Sequence, residues 1–162
     1  MAVVNALSFR DGVLEDVPKI EALLKGAGLP PVQVQEHIEG FLVREQGGNV
    51  VACGGIEVYG TAALVRSVVV APAAQGNGVG RDLVSQLEAK ALRSGVTSLC
   101  LFTVGPWQFW ERLGYRDGTL AEWPEPARAC WPYRYVSEHE ERFHQMAIHP
   151  IYKTLGAQAE QQ

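Results

Sequence analysis

No apolar run in the 162 residues is long enough to cross a bilayer as a helix, so a membrane-spanning role is not expected. Basic clusters are also missing, and the net charge of -4 argues against nucleic acid as the main partner. The N-terminus, Met1 to Arg10, lacks a basic leader followed by an apolar segment and does not read as a secretory signal. Cysteine is scarce: Cys53, Cys100 and Cys130 are odd in number and far apart, with two inside apolar strand-like runs. That favours reduced core thiols and a cytoplasmic location over a disulfide frame. The histidines lack metal-ligand spacing, His37 standing alone and His139, His144 and His149 lying five apart. No metal is expected, and a small molecule is the natural partner.

What is present reads as a single α/β domain over 1-155, with a frayed tail over 156-162. A short strand from Leu7 to Arg10 precedes a helix capped by Asp16, with Pro18 in its first turn and Gly26 and Gly28 at its end. Pro30 and Pro31 break the chain before a weaker helical stretch through Val34 and Ile38. Gly40–Arg44 and Asn49–Tyr59 form a hairpin about Gln46-Gly47-Gly48, and Cys53, Gly55 and Glu57 share one face of its longer strand. Ala63–Val70 is continuously apolar except at Arg66 and Ser67, as a central strand would be, with Arg66 on the face of Val68 and Val70. A helix opens near Gly78, with Val79, Leu83, Leu87 and Ala91 at helical spacing, and stops at Gly95. The spacing then predicts a strand over Thr97–Thr103, a helix over Pro106–Leu113, a strand from Tyr115, a short helix over Glu122–Cys130 and a last strand over His144–His149.

The stretch Val65–Leu83 organises the rest: a buried strand, a Pro72 elbow, then Gly76, Gly78 and Gly80 opening a helix. Free backbone amides at such a helix start bind anions, phosphates above all. Five residues, Ala71 to Gln75, separate the strand from the first glycine, too many for a dinucleotide fold. Arg81-Asp82 stands where a P-loop needs Lys followed by Ser or Thr.

The segment Val68-Val69-Val70-Ala71-Pro72 followed by Gln75-Gly76-Asn77-Gly78-Val79-Gly80-Arg81 resembles the acetyl-CoA-binding motif of the GNAT superfamily of N-acetyltransferases. Phe109-Trp110-Glu111-Arg112-Leu113-Gly114-Tyr115 resembles that superfamily's second motif. Ala27 to Pro30, Gly55 to Gly60 and Ala63 to Ser67 look like acetyltransferases of arsenic-resistance operons and the acetyltransferase domain of N-acetylglutamate synthases. The likeness fades after Gly118, and no three-cysteine cluster for arsenite is visible.

The resemblance implies the GNAT fold, a mixed sheet of six to seven strands flanked by helices and splayed between the fourth and fifth. It implies that acetyl-CoA lays its pyrophosphate on Gln75, Gly76, Asn77, Gly78, Val79, Gly80 and Arg81. The pantetheine would pair with Val68 and Val70, with Trp110 packed nearby, and the Val70 N–H would serve as oxyanion donor. Its members often carry a glutamate where Leu64 stands and a tyrosine where Trp110 stands. Glu57 is therefore the candidate base, acting directly or through water, unless it is a solvated strand residue. Tyr59, Tyr133 and Tyr135 are candidate proton donors to the leaving thiolate, which can also leave to solvent.

A lone charge in an apolar strand is costly unless paired. Arg66 is thus either half of a structural ion pair, for instance with Glu57, or a bidentate grip on a substrate carboxylate, with Thr103 adding a hydrogen bond. The expected function is acetyl transfer to the amine of a small, amino-acid-like molecule. The alternatives are an acyl-CoA sensor without turnover and an acetyltransferase for protein N-termini or lysines. The superfamily resemblance also suggests a homodimer.

Overall fold

A computed structural model describes residues 8–105 and 107–155. The predicted tail over 156-162 lies outside the described residues, as do Leu7 of the first strand and Pro106 of the third helix. The strands are β1 (Arg10–Asp11), β2 (Phe41–Gln46), β3 (Asn49–Tyr59), β4 (Ala62–Val70), β5 (Ser98–Val104), β6 (Arg116–Asp117) and β7 (Ile148–Thr154). The helices are α1 (Val17–Gly26), α2 (Val79–Arg93), α3 (Gln108–Arg112), α4 (Trp131–Glu138) and α5 (Glu140–Gln145). Hydrogen bonding orders the strands β1-β2-β3-β4-β5-β7-β6, a mixed seven-stranded sheet of the kind expected.

The chain divides into two compact units, Met1–Glu57 with Arg66–Ala89, and Val58–Val65 with Lys90–Gln162. In the first, β2 and β3 pair antiparallel from Phe41↔Gly55 to Gln46↔Asn49, with a register shift between Arg44 and Glu45. Its core gathers Ile20 and Leu24 from α1, Val34 and Ile38 from the segment after it, and Phe41, Val43, Val50, Cys53 and Val69 from the strands. Gly54 and Gly55 thin the middle of β3. A Cβ at Gly54 would meet Leu87 at 2.9 Å, and one at Gly55 would meet the Phe41 ring at 2.9 Å. Helix α2 therefore packs against one face of β3 and Phe41 against the other.

In the second unit β4 and β5 run parallel through three pairs, Ala62↔Ser98, Ala63↔Leu99 and Leu64↔Cys100. Strand β5 also pairs antiparallel with β7 along its whole length, Ser98↔Thr154 to Val104↔Ile148. Trp123 is buried beside Leu64, Cys100, Ala127 and Cys130, its ring 4.5 Å from that of Phe102. No helix among the described residues is long and apolar enough to cross a membrane.

Several expectations change. The helical stretch through Val34 and Ile38 closes only as turns and one 3-10 turn, Ile38–Gly40. Glu122 to Cys130 holds 3-10 turns, and the α-helices follow it, at α4 and α5. Pro132 occupies the first turn of α4, where its missing N–H costs nothing, so the proline starts a helix there. The last strand begins four residues later than expected, at Ile148.

Asp16 precedes α1 but does not cap it through its side chain. Its carboxylate instead accepts the Val13 N–H at 2.8 Å and the Arg10 guanidinium at 2.8 and 2.9 Å. The Arg10 fork holds that carboxyl below the usual range, against the opposing effect of burial. Because the folded state favours ionised Asp16, its contribution is complete above the unfolded value near 4 and fades as pH falls through the folded one. Asp16→Asn is expected to cost about 2 kcal/mol at pH 7, measured by urea unfolding. The gap to the wild type should narrow below about pH 4.

Candidate active site

The site predicted from Val65–Leu83 assembles on β4 and the loop after it. Pro72–Ala74 forms the expected elbow as a 3-10 turn. Gly76 and Gly78 follow with φ of +99° and +75°, conformations that L side chains rarely adopt. The ladder of α2 begins with Asp82 N–H donating to Gly78 C=O at 3.0 Å. The amides of Val79, Gly80 and Arg81 therefore have no helical acceptor, and the loop is exposed. This donor set suits a phosphate.

Gln75 contributes differently from expectation: its side-chain amide donates to the Val70 carbonyl at 2.9 Å and ties the loop to the end of β4. Arg81 lies over the loop, its Nη2 3.7 Å from where a Gly78 Cβ would stand. Asn77 is exposed, and Val79 is buried at the start of the helix. Val68 and Val70 are half-buried.

Strand β4 departs from simple alternation. Ser67 has φ +57°, a left-handed residue inside a strand, which acts as a bulge. Gly54 and Gly55 point to opposite faces of β3, and they mark the faces of β4. Val68 lies with Leu83 and Leu87 at the Gly54 face, whereas the Arg66 guanidinium lies 5.7 Å from the centre of the Phe41 ring, on the Gly55 face. The expectation that Arg66 shares a face with Val68 is therefore corrected. The bulge turns Arg66 toward Glu57, which shares the Gly55 face.

There Arg66 Nη1 donates to Glu57 Oε2 at 2.8 Å, with the Arg66 side chain 14% and the Glu57 side chain 8% exposed. Nη2 donates to the Val32 carbonyl, and Nε to the Ser67 hydroxyl at 3.3 Å. The ion pair anticipated for Arg66 is thus present, and the solvated reading of Glu57 is excluded. Glu57 Oε1 faces His37 Nε2 at 3.6 Å. Sequence reasoning placed His37 alone because twenty residues separate it from Glu57; only the i–i+2 face of β3 was readable, not what covers it.

The remaining candidates belong to the second unit. Thr103 is half-buried opposite His149, whose Nδ1 lies 3.1 Å from Asp117 Oδ2. Trp110 is buried, its ring in edge contact with Phe109 at 5.2 Å and Tyr115 at 5.1 Å. This is a core role, formed from within its own motif. Leu64 is likewise buried in the core. The Tyr133 hydroxyl donates to the Leu120 carbonyl at 3.1 Å, and Tyr135 stacks on Trp131 with centroids 5.2 Å apart. Burial pushes the Cys53 and Cys100 thiols up to about 12, which removes both as nucleophiles near neutral pH.

Residues 37–117, half of the chain, match the acetyltransferase (GNAT) domain, and the chain belongs to that family. An uncharacterised N-acetyltransferase of Chlorobaculum tepidum is 34% identical over 51% of this chain and 53% of its own length. An amino-acid acetyltransferase of Neisseria meningitidis is 24% identical over 75% of this chain and 30% of its own. The chain thus spans about half of one relative and under a third of the other. In fold it is similar to N-acetylglutamate synthase from Neisseria gonorrhoeae, solved with coenzyme A and N-acetyl-glutamate. That likeness has a TM-score of 0.72 at 22% identity and covers 91% of this chain and 35% of that one. A Mycobacterium tuberculosis protein in complex with CoA and NLQ is as similar, with TM-score 0.72 and 21% identity over 91% of this chain and 99% of its own.

Proposed function

We propose that the protein is an acetyl-CoA-dependent N-acetyltransferase whose acceptor is the amine of a small, carboxylate-bearing, amino-acid-like molecule. The observation that carries the acceptor class is the ion pair between Glu57, buried on β3, and Arg66 on β4, the strand that leads into the glycine loop. An α-amino acid presents a carboxylate and an ammonium on one carbon. A guanidinium and a carboxylate 2.8 Å apart match that dipole with opposite signs. The fork geometry of Arg66 suits the carboxylate, and Glu57 supplies the countercharge for the ammonium.

In this reading the amides from Gly76 to Arg81 hold the CoA pyrophosphate, and the backbone at Val68 and Val70 holds the pantetheine. The Val70 N–H stabilises the oxyanion as the amine attacks the thioester. Rate enhancement comes chiefly from positioning and from that donor. The buried thiols Cys53, Cys100 and Cys130, none of them in a disulfide, suit a reducing, cytoplasmic setting.

Thiol release from acetyl-CoA across amino acids, their carboxamides and decarboxylated amines, and short peptides tests the acceptor class. Free amino acids should exceed their carboxamides by at least about tenfold in kcat/KM, as loss of a charged bidentate contact implies. Equal rates for acids and carboxamides would remove the carboxylate requirement. Preference for peptides would favour protein acetylation, and tight CoA binding without turnover would favour a sensor.

A further inference from the structure

Aminolysis of a thioester requires a neutral amine, yet most aliphatic ammonium groups hold their proton at neutral pH. Glu57 is poorly placed to take it, because one carboxylate oxygen already accepts from Arg66 at 2.8 Å. Its other oxygen faces His37, and imidazole is the side chain whose ordinary titration falls near neutrality.

We infer that His37, oriented by Glu57, accepts the proton of the substrate ammonium and passes it to solvent. The inference rests on the acetyltransferase reading above.

The local structure holds His37 at this point. Val34 and Ile38, on either side of it, are buried in the core of the first unit. The His37 N–H donates to Val34 C=O at 3.2 Å, and the Gly40 N–H to His37 C=O at 2.9 Å. Gly40 lies directly on β3: a Cβ there would come within 2.0 Å of the Ile56 carbonyl oxygen, one residue before Glu57. The turn that carries His37 is thereby seated against the strand that carries Glu57.

At 3.6 Å the Glu57 carboxylate acts on the ring as a countercharge, and a ring with its hydrogen on Nε2, the nitrogen on that side, has its lone pair on Nδ1. Glu57 thus stabilises the imidazolium electrostatically when the ring takes up a proton. The charged groups around His37 are Glu57 from β3, Arg66 from β4 acting through Glu57, and its chain neighbours Glu36 and Glu39. The His37 side chain is 31% exposed, which leaves the ring an outlet to water.

The step balances. One proton moves from the ammonium to Nδ1, and the freed lone pair bonds to the thioester carbonyl carbon. The C–S bond then breaks with its electron pair on sulfur, and a second proton from nitrogen ends on that sulfur. The imidazolium releases the first proton to solvent, for a net yield of amide, free thiol and one proton.

The test compares pH profiles of kcat and kcat/KM for the wild type, His37→Asn and His37→Gln, using the best acceptor from the amine panel. At pH 7 both variants should lose about 10- to 100-fold in kcat, the lower part of the range for general-base removal, with KM within about threefold. The deficit should shrink above about pH 9, where free amine becomes abundant. Added imidazole should restore part of the rate to His37→Gly. Thermal unfolding serves as a folding check, and loss of fold in one variant leaves the other two to decide. Variants that keep the wild-type rate, or lose it equally at every pH without imidazole rescue, would overturn the relay while leaving the acetyltransferase reading intact. A wild-type protein that acetylates no amine would overturn both.

Discussion

Arg66→Met should lower stability by about 3 kcal/mol and raise the KM for an amino-acid acceptor at least about tenfold. The stability loss follows from burial. Glu57 is 8% exposed, and without Arg66 its charge loses the guanidinium at 2.8 Å and keeps His37 at 3.6 Å. Removing one member of a buried pair costs about 3–5 kcal/mol, and the lower end applies because Arg66 keeps some solvent contact and His37 can compensate in part. Two further contacts, to the Val32 carbonyl and the Ser67 hydroxyl, disappear with the guanidinium. The methionine retains an apolar stem against Phe41, so the effect reports the charge and not the packing. The double variant Arg66→Met with Glu57→Gln separates the two roles. It should recover most of the stability, since no uncompensated charge remains, but not the affinity for the acceptor. Thermal unfolding and steady-state kinetics on the three variants decide. If both losses are recovered in the double variant, the pair is structural alone.

The second large effect is expected at the glycine loop. Gly76→Ala should weaken acetyl-CoA binding by about 10- to 100-fold while shifting the melting temperature by only a few degrees. Space is not the reason, because a Cβ at Gly76 would have nothing within 4 Å. The backbone is the reason: φ of +99° lies outside the range an alanine accepts comfortably, at a cost of about 1–2 kcal/mol. An exposed loop relieves that strain by turning, and the amides then point away from the anion. Gly48→Ala is the matched control. Its φ is +82°, and its Cβ also has nothing within 4 Å, but it sits in the β2–β3 hairpin. Titration calorimetry with CoA should find weakened binding in the first variant and unchanged binding in the second. Equal binding by both would take the pyrophosphate off this loop.

Legibility in the sequence followed the range of the interactions involved. The hairpin about Gly47 and Gly48, the full extent of β3 and the start of α2 were all readable, because turn glycines and side-chain period act within a few residues. The helices α4 and α5 were not. Tyr133, Tyr135 and Val136 are modest helix formers, so propensity gives little signal, and the packing of Val136 is visible only in the fold. Nor were the faces of β4 readable. Alternation assigned Arg66 to the side of Val68, and the left-handed Ser67 reversed it. Serine gives little warning of a bulge, which depends on how β4 meets its neighbours. His37 gave still less, since its importance lies in a carboxylate twenty residues on.

The stretch Val65–Leu83 together with the second motif at Phe109–Tyr115 pointed to the family and so to acetyl-CoA, because each motif is written in residues close in sequence. Only the tertiary structure decided how Arg66 is partnered. Arg66 comes from β4, Glu57 from β3, and His37 and Val32 from the segment between α1 and β2, and the burial that strengthens the Glu57 charge exists only once those segments have packed.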